Sequence, residues 1–301
     1  MKLAVTGGTG FVGAHLLDHA VAQRHAVSAL TRRDQPPRAR MTWVAGALDN
    51  ADGLARLAAG ADALIHVAGV INGDAAAFEA GNVAGTEAAL NAARSAGVRR
   101  FVHVSSLAAR EPGISMYGAS KARAEALVRQ SGLDWAIVRP PAVYGPGDRE
   151  TLELFRMARL GLMMVPPSGR LSLIHVADLA RLLLALARPD AASGLLVEPD
   201  DGRPGGWTHG QFAAALARAV GRRRALTLPA PKALMRAAAR ADQLLRGDKA
   251  KLTPDRAAYF AHEDWVVDPG LAAPPQLWQP AIPTEQGLRD TALWYRQQGW
   301  L

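Results

Sequence analysis

The sequence predicts an α/β protein built on a doubly wound parallel sheet, with a smaller, mostly helical C-terminal lobe. Apolar, strand-like runs alternate with helical patterns to about residue 148, and the first run ends in a glycine-rich turn. Strands that alternate with helices pair in parallel, through right-handed crossovers that place helices on both faces of the sheet. With 301 residues, 49% of them hydrophobic, the chain allows about two domains with a substantial core.

The first predicted unit is a strand, a tight turn and a helix. The apolar run LAVTGG at 3–8 precedes GFVGAHLLDHAVAQ, whose apolar residues have helical spacing. A glycine turn is a weak signal by itself, since any strand-to-helix turn can use glycine. After an N-terminal strand it favours a dinucleotide, because small residues let the backbone approach a pyrophosphate at the positive end of a helix. The expected contacts are Gly7, Thr9, Gly10, Phe11, Val12 and Gly13.

The second predicted strand, AVSALT at 26–31, ends in Arg32 and Arg33. A site for NAD usually has an acidic side chain here for the ribose hydroxyls, whereas an arginine accommodates the 2′-phosphate of NADP. NADP(H) is therefore the preferred cofactor. Asp34 follows directly, so NAD(H) is possible as well. The alternative for both guanidinium groups is that they are solvated in an arginine-rich chain.

A tyrosine and a lysine share one helical face at YGASK, residues 117–121. Tyr117 and Lys121 lie four residues apart, which brings their side chains together on a helix. A free tyrosine, with a pKa of about 10, is a poor acid or base near neutral pH, and a neighbouring ammonium group should lower that pKa. The pair is expected to transfer a proton. The alternative is an ordinary pair of surface side chains.

The motifs of the chain occur in the order typical of one superfamily. They are TGGTGFVG (6–13), HVAG (66–69), NVAGT (82–86), HVSS (103–106), YGASK, RPPAVYGPGD (139–148) and LIHVADLA (173–180). In these motifs the chain resembles the short-chain dehydrogenase/reductase superfamily, specifically its extended, epimerase/dehydratase-like branch, which has a Rossmann domain. The resemblance covers residues 1 to about 185 and returns at EQGLRDTALWYRQQGWL, which is similar to that branch's usual last helix.

The resemblance implies a catalytic relay and a cofactor site. Ser106 would hydrogen-bond the substrate oxygen, Tyr117 would exchange its proton, and Lys121 would lower the pKa of the tyrosine and hold the nicotinamide ribose. Asn82 would help to place the relay helix, although a helix N-cap explains this residue equally well. Ser105 is the weaker candidate catalyst. The other residues implied at the cofactor are Leu48, Val67, Ala68, Gly69, Val104, Ser105, Pro140, Ala142 and Val143, with Ala68 and Gly69 on the adenine side.

Three departures from the pattern of the branch weaken the case for a sugar nucleotide as substrate. Ala142 stands where sugar-nucleotide relatives usually carry Asn, and Leu171 where they often carry Arg, with Arg170 one place away. Only ten residues separate Ser106 from Tyr117, fewer than in most extended members. Polar groups that would hold a nucleotide diphosphate are therefore missing, and a smaller or more apolar carbonyl or alcohol is expected.

The rest of the chain is divided between two predicted domains. LDWAIVRP (133–140) predicts a late strand, and RLSLIHVADLARLLLALA (170–187) returns a strand and a helix to the same domain. The dinucleotide-binding domain is predicted over 1–148 and about 170–187, and the substrate lobe over 149–169 and about 188–301. The substrate is expected in the cleft between them, beyond the carboxyl ends of the strands.

The net charge of +8 is concentrated in residues 218–256, which hold eleven Arg or Lys and three Asp. Within 231–247 a basic amphipathic helix is predicted, with Lys232, Arg236 and Arg240 on one face and Leu234, Met235, Ala238 and Leu245 largely on the other. Such a helix can lie on an anionic membrane, or pack on its own domain with its charges solvated. We expect solvation rather than membrane contact. No aromatic residues interleave the run, so nucleic acid is not an expected partner.

The histidines are expected to be structural. His66 and His103 lie in apolar runs, where strand residues with hydrogen-bonded rings are expected, and His175 should contact the loop after RPPAVYG. The chain has no cysteine and no His/acid cluster with ligand spacing, so neither disulfides nor a metal are expected. A strand that begins at residue 3 leaves no room for a signal peptide, and the most apolar stretch, 179–187, is too short to span a bilayer. A cytoplasmic enzyme is expected.

These motifs predict an NAD(P)-dependent oxidoreductase that moves hydride between nicotinamide and a carbonyl carbon. A sugar-nucleotide epimerase or dehydratase is the alternative within this class. A non-catalytic NADP(H)-binding scaffold or redox sensor is the alternative from another class, although a scaffold has no need of a proton relay. Related proteins often dimerise through the helix that bears the tyrosine, so a homodimer is left open.

Overall fold

The computed structural model describes residues 1–230 and 253–301, together with residues 237, 240, 242 and 244. The strands are β1 (Lys2–Thr6), β2 (Ala26–Thr31), β3 (Met41–Ala45), β4 (Ala63–His66), β5 (Arg100–Val104), β6 (Asp134–Val138), β7 (Ala142–Tyr144), β8 (Leu162–Val165), β9 (Arg170–Leu171), β10 (Leu173–His175), β11 (Leu195–Val197), β12 (Trp207–Thr208), β13 (Leu226–Pro229) and β14 (Asp264–Trp265). The helices are α1 (Phe11–Ala22), α2 (Ala51–Ala58), α3 (Ala75–Phe78), α4 (Gly85–Ser95), α5 (Met116–Arg129), α6 (Leu152–Leu160), α7 (Val176–Leu186), α8 (His209–Ala219), α9 (Pro254–Phe260) and α10 (Thr284–Gln297). A π-helical turn, Glu79–Ala84, joins α3 to α4, and 3₁₀ turns cover Leu107–Arg110 and Pro269–Leu271.

The central element is a seven-stranded sheet with the strand order β3-β2-β1-β4-β5-β6-β11. Every neighbouring pair in it is parallel. On one face Leu64 and Phe101 pack with Leu57 of α2 and Leu90 of α4. Val102, which points to the other face, is fully buried as well. Both faces are therefore covered, as a parallel sheet requires, and the predicted fold class is confirmed.

The chain divides into two compact units, at boundaries that differ from the predicted ones. The first unit contains Met1–Pro140, Ala177–Pro199 and Gly270–Gln279. β11 comes from the stretch predicted for the substrate lobe, yet it pairs with β6 as the seventh strand of the sheet. β10 was expected to return to this sheet and instead pairs with β7 in the second unit. Strands of three residues carry too little pattern to indicate which sheet they join.

The second unit contains Pro141–Val176, Asp200–Pro269 and Pro280–Leu301. Phe155, Leu216, Leu288 and Tyr295 pack together in its core, from helices α6, α8 and α10. Three small sheets complete it: β7 with β10, β9 between β12 and β14, and β8 with β13. The basic helix predicted over 231–247 lies outside the described residues, apart from isolated positions such as Arg240, which is exposed. Among the helices that the structure describes, none combines the length and apolar character needed to cross a bilayer.

Candidate active site

The turn between β1 and α1 forms a cradle that side chains cannot enter. Gly7 has a φ of +74°, and a Cβ built on it would lie 2.5 Å from the backbone nitrogen of Ala68. A Cβ on Gly13 would lie 2.0 Å from the carbonyl oxygen of Gly7. Gly10 precedes α1 and offers no side chain to cap it, so the first-turn N–H groups face outward as an anion site. Thr9, Phe11 and Val12 belong to the same turn, which fits a dinucleotide pyrophosphate.

The segment after β4 connects this cradle with the relay helix α5. The N–H of Ala68 donates to Thr6 Oγ1 at 3.3 Å, which holds the segment beside β1. A Cβ on Gly69 would lie 3.0 Å from Asn82 Oδ1 and 3.1 Å from Lys121 Nζ. The predicted residues 67–69 therefore run from the glycine cradle to the buried polar groups of α5. Leu48, also predicted, packs against the start of α4, within 2.6 Å of a Cβ built on Gly85.

An open pocket of about 550 Å³ lies beyond the ends of β2 and β3. Its lining includes Arg32, Arg33, Asp34 and Asp49. Thr31 fixes the turn, because its Oγ1 donates to the carbonyl oxygen of Arg33 at 2.7 Å. The pocket offers two guanidinium groups for a 2′-phosphate and two carboxylates for ribose hydroxyls. Asp49 was not predicted, since nothing in the sequence indicated that β3 ends beside β2.

Ser106 and Tyr117 are joined by a side-chain hydrogen bond. Ser106 follows β5 and caps the 3₁₀ turn, accepting the N–H of Ala108 at 3.2 Å. Tyr117 lies in the first turn of α5. Ser115 caps this helix, because its Oγ accepts the N–H of Gly118 at 3.0 Å. The two segments meet closely, because a Cβ on Gly118 would lie 2.6 Å from the carbonyl oxygen of Ala108. This approach brings together the two hydroxyls that the sequence predicted.

Burial dominates the electrostatics of Tyr117 and Lys121. It raises the pKa of Tyr117, against the opposing effect of the Ser106 hydrogen bond. The expected lowering of this pKa by Lys121 is not found. The ammonium donates to the carbonyl oxygen of Val104 at 3.0 Å. Burial also lowers the pKa of Lys121 to about 8, while the Glu125 carboxylate raises it. Tyr117 is therefore neutral near pH 7, the form that donates a proton.

Asn82 lies in the π-helical turn, and its side chain connects this turn to α5. Its Oδ1 accepts the N–H of Val70 at 2.7 Å, and its Nδ2 donates to the Val70 carbonyl and to Ser120 Oγ, both at 2.9 Å. Ser120 in turn donates to the carbonyl oxygen of Tyr117 at 2.8 Å. The interpretation of Asn82 as a helix N-cap is wrong, because the residue lies inside a continuous helical stretch. Its contacts are those of a residue that positions the relay helix.

Ser105 belongs to a buried ionic network that the sequence did not reveal. Its Oγ donates to Glu125 Oε1 at 2.6 Å. Glu125 also receives two hydrogen bonds from Arg139, both of 2.7 Å, and Arg139 contacts Glu198 at 3.3 Å. The hydroxyl of Ser105 thus donates to the network, and of the two serines it is Ser106 that hydrogen-bonds Tyr117. The available signal for Glu125 was its place on α5, four residues after the lysine.

Two buried histidines stack beneath the site, with ring centroids 5.6 Å apart. His66 makes the expected hydrogen bonds, to Thr6 Oγ1 at 2.8 Å and to Thr86 Oγ1 at 3.1 Å. His103 departs from the expectation, since neither ring nitrogen has a partner among the described residues. Burial lowers the pKa of both rings, that of His66 to about 3, so both are neutral near pH 7.

The remaining predicted residues fall in different parts of the chain. Pro140 accepts the N–H of Leu107 at 3.0 Å, beside the Ser106 turn of the first unit. Ala142 and Val143 lie in β7 of the second unit, paired with Leu173 and Ile174 of β10. His175 contacts Tyr144, with ring centroids 5.3 Å apart; this contact is with β7, inside RPPAVYG, whereas the loop after the motif was expected.

Arg170 does not stand in for the arginine that is missing at position 171. Its guanidinium donates to the backbone carbonyls of Gly205 and Gly206.

A family model described as NAD(P)H-binding matches residues 7–188. The chain belongs to this NAD(P)H-binding family. It is 38% identical to the ceramide reductase of Caulobacter vibrioides over 315 aligned residues, which cover 99% of this chain and 96% of that protein. It is 32% identical to the 4-hydroxy-2-methyl-3-oxo-4-farnesyl-3,4-dihydroquinoline-1-oxide ketoreductase of Stigmatella aurantiaca, over 68% of this chain and 69% of the relative. The UDP-glucuronic acid 4-epimerase of Bacillus cereus, solved in complex with NAD, shares the fold with a TM-score of 0.75 at 16% identity, over 99% of both chains.

These relatives confirm the extended short-chain dehydrogenase/reductase fold and the oxidoreductase class predicted from the motifs. The chain is an NAD(P)-dependent oxidoreductase of this type.

Proposed function

We propose that this chain is an NADPH-dependent reductase of a ketone carried by a ceramide-type lipid. The bound cofactor supplies the hydride. Ser106 hydrogen-bonds the ketone oxygen, Tyr117 donates the proton to it, and Lys121 compensates the charge that then remains on the tyrosine. The observation that carries the proposal is the side-chain hydrogen bond between Ser106 and Tyr117. On α5 the buried Lys121 follows Tyr117 by one helical turn.

The protonation states suit reduction. Tyr117 has a raised pKa and therefore holds its proton until the developing alkoxide takes it. A pKa of about 8 leaves Lys121 largely protonated at pH 7, so a positive charge is held one helical turn from the tyrosine as the phenolate forms. Desolvation of both groups strengthens this attraction.

Two observations support a lipid ketone as the substrate class. The chain matches a ceramide reductase over nearly the whole length of both proteins. Ala142 and Leu171 replace side chains that would hold a nucleotide diphosphate, which disfavours a sugar nucleotide. Within a ceramide-type molecule a ketone is the reducible group, because resonance protects the carbonyl of an amide. The guanidinium groups of Arg32 and Arg33 support NADPH as the hydride donor.

The test measures NADPH consumption with a short-chain keto analogue of ceramide in detergent micelles. We expect one alcohol formed for each NADPH oxidised, and a rate reduced by roughly 10² to 10⁴ in Tyr117→Phe with unchanged affinity for NADPH. Tyr259→Phe, the same substitution in α9, serves as the control and should keep the parental rate.

Two results would contradict the proposed reductase and favour an alternative function. Conversion of a UDP-sugar without net NADPH consumption would favour an epimerase. Tight NADPH binding without turnover of any ketone would favour a scaffold.

A further inference from the structure

The parallel strands β8 and β13 of the second unit expose a continuous row of aliphatic side chains. Leu162 is paired with Leu226, and Met164 with Leu228. These four side chains are between 42% and 64% exposed, and Leu160, just before β8, is 76% exposed. We call the five residues the apolar row.

The other face of the same ribbon packs against the core through Met163. Met163, which lies between Leu162 and Met164, is buried in the core of the second unit together with Phe155. A ribbon with one face on the core and one exposed ordinarily turns polar side chains outward, because alternate residues face core and solvent. A contiguous exposed aliphatic patch therefore marks an interaction surface.

Arginines border the apolar row. Arg159, Arg222, Arg223 and Arg224 are all exposed. The guanidinium of Arg222 donates to the carbonyl oxygen of Arg159. A Cβ built on Gly161 would lie 3.4 Å from Nη1 of Arg222, so this guanidinium lies at the start of β8. The sequence contains no Asp or Glu in 154–165 or in 219–230. The border of the row is thus positively charged, and the segments 154–165 and 219–230 supply no carboxylate to neutralise it.

We infer that the apolar row and these four arginines dock the protein on a bilayer that contains anionic lipids. Aliphatic side chains can enter the boundary of the acyl chains while arginines contact the lipid phosphates. Protein interfaces are enriched in aromatic residues as well as in Met and Arg, and the row has no aromatic residue; its positive border instead matches the phosphates of anionic lipids. The inference deepens the proposed function and rests on it in one respect: a ceramide-type substrate resides in membranes, so docking would bring the enzyme to it.

The inference concerns three arginines of the basic segment 218–256, whose charges are expected from the sequence to be solvated. The sequence showed the positive charge of this segment. It could not show that Leu226 and Leu228 join side chains of the distant β8 on one exposed face.

The experiment is cosedimentation of the full-length protein with vesicles of phosphatidylcholine, with and without phosphatidylglycerol. We expect binding to the anionic vesicles only, weakened by salt because the charges are exposed. Replacing Arg223 and Arg224 by glutamine should weaken binding about fivefold for each arginine. Serine at Leu162, Met164, Leu226 and Leu228 together should weaken it by more than about tenfold.

Matched controls separate the row from general effects. Leu293→Ser changes a leucine of similar exposure, 53%, on α10, and Arg188→Gln removes an exposed arginine elsewhere. Neither should alter vesicle binding. If the fourfold serine variant fails to fold, the pair Leu226→Ser and Leu228→Ser, with the arginine variants, gives the same comparison.

Three outcomes would overturn the inference. The parent could fail to bind anionic vesicles. The serine variant could bind as the parent does. The row could instead support a dimer that forms without lipid and is lost in the serine variant. Since cosedimentation needs neither cofactor nor substrate, these results leave the reductase proposal untouched, and the serine variant should still turn over a micellar ketone at the parental rate.

Discussion

Replacing Glu125 by glutamine should destabilise the protein far more than the same change in a surface ion pair. The Glu125 side chain is only 3% exposed and holds Arg139 through two short contacts and Ser105 through a third. Glutamine keeps the shape but removes the charge, which leaves Arg139 with Glu198 at 3.3 Å as its carboxylate partner. Breaking a buried ion pair from one side costs about 3–5 kcal/mol. We expect about 3 kcal/mol, the lower end of this range, because Glu198 remains.

Equilibrium urea denaturation measures this loss as a lower midpoint at an unchanged slope. The matched control is Glu79→Gln, which removes the partner of Arg123 on the same helix α5, where the two side chains are 49% and 58% exposed. An exposed pair contributes below about 1 kcal/mol, so this control should unfold nearly as the parent does. Equal losses in the two variants would refute the reasoning, since burial would then not govern the cost.

Three further changes test the cofactor site and the relay. Gly13→Ala should abolish NADPH binding or folding, because its Cβ would lie 2.0 Å from the Gly7 carbonyl oxygen; fluorescence titration of NADPH with a circular-dichroism spectrum distinguishes the two. Arg32→Asp should weaken NADPH by roughly ten- to a hundredfold more than NADH, as a lost charge-assisted contact costs about 1.5–3 kcal/mol, and equal weakening in parallel titrations would contradict the phosphate contact. Lys121→Met tests burial: the folded pKa of about 8 lies below the ordinary lysine pKa of 10.5, so the unfolded chain binds more protons between these two pH values. The parent should therefore gain about 3 kcal/mol relative to the variant as the pH rises through this window, measured by urea titrations at fixed pH.

The local features of the site could be predicted because each depends on a short stretch of sequence. The glycine cradle and the Tyr117–Lys121 pair are set by spacing within one turn or one helix. The buried partners could not be predicted in this way. Arg139 meets both Glu125 and Glu198 only once β6 and the segment after β11 lie side by side, and charged residues carry no sequence signal for burial.

The same limit explains the incorrect expectation for the tyrosine pKa. Spacing correctly placed Lys121 one helical turn from Tyr117, and in water the ammonium would have dominated. The structure removes both groups from solvent, and burial then raises the pKa of Tyr117 and lowers that of Lys121. Spacing predicts which groups lie near one another, whereas the sign of a pKa shift depends on how completely the fold excludes water.

One face of α5 carries the hydroxyl of Tyr117, the ammonium group of Lys121 and the carboxylate of Glu125, which have different roles. Glu125 holds Ser105 away from the hydroxyl pair and partly offsets the cost of burying the ammonium of Lys121. Glu125→Gln should consequently act on the reaction as well as on stability: without the carboxylate the pKa of Lys121 falls further, and its positive charge is lost at a lower pH. If Lys121 must be protonated for reduction, the alkaline limb of the rate profile will move to lower pH in this variant and stay in place in Glu79→Gln. A limb that does not move would show that the charge of Lys121 plays no part in the rate.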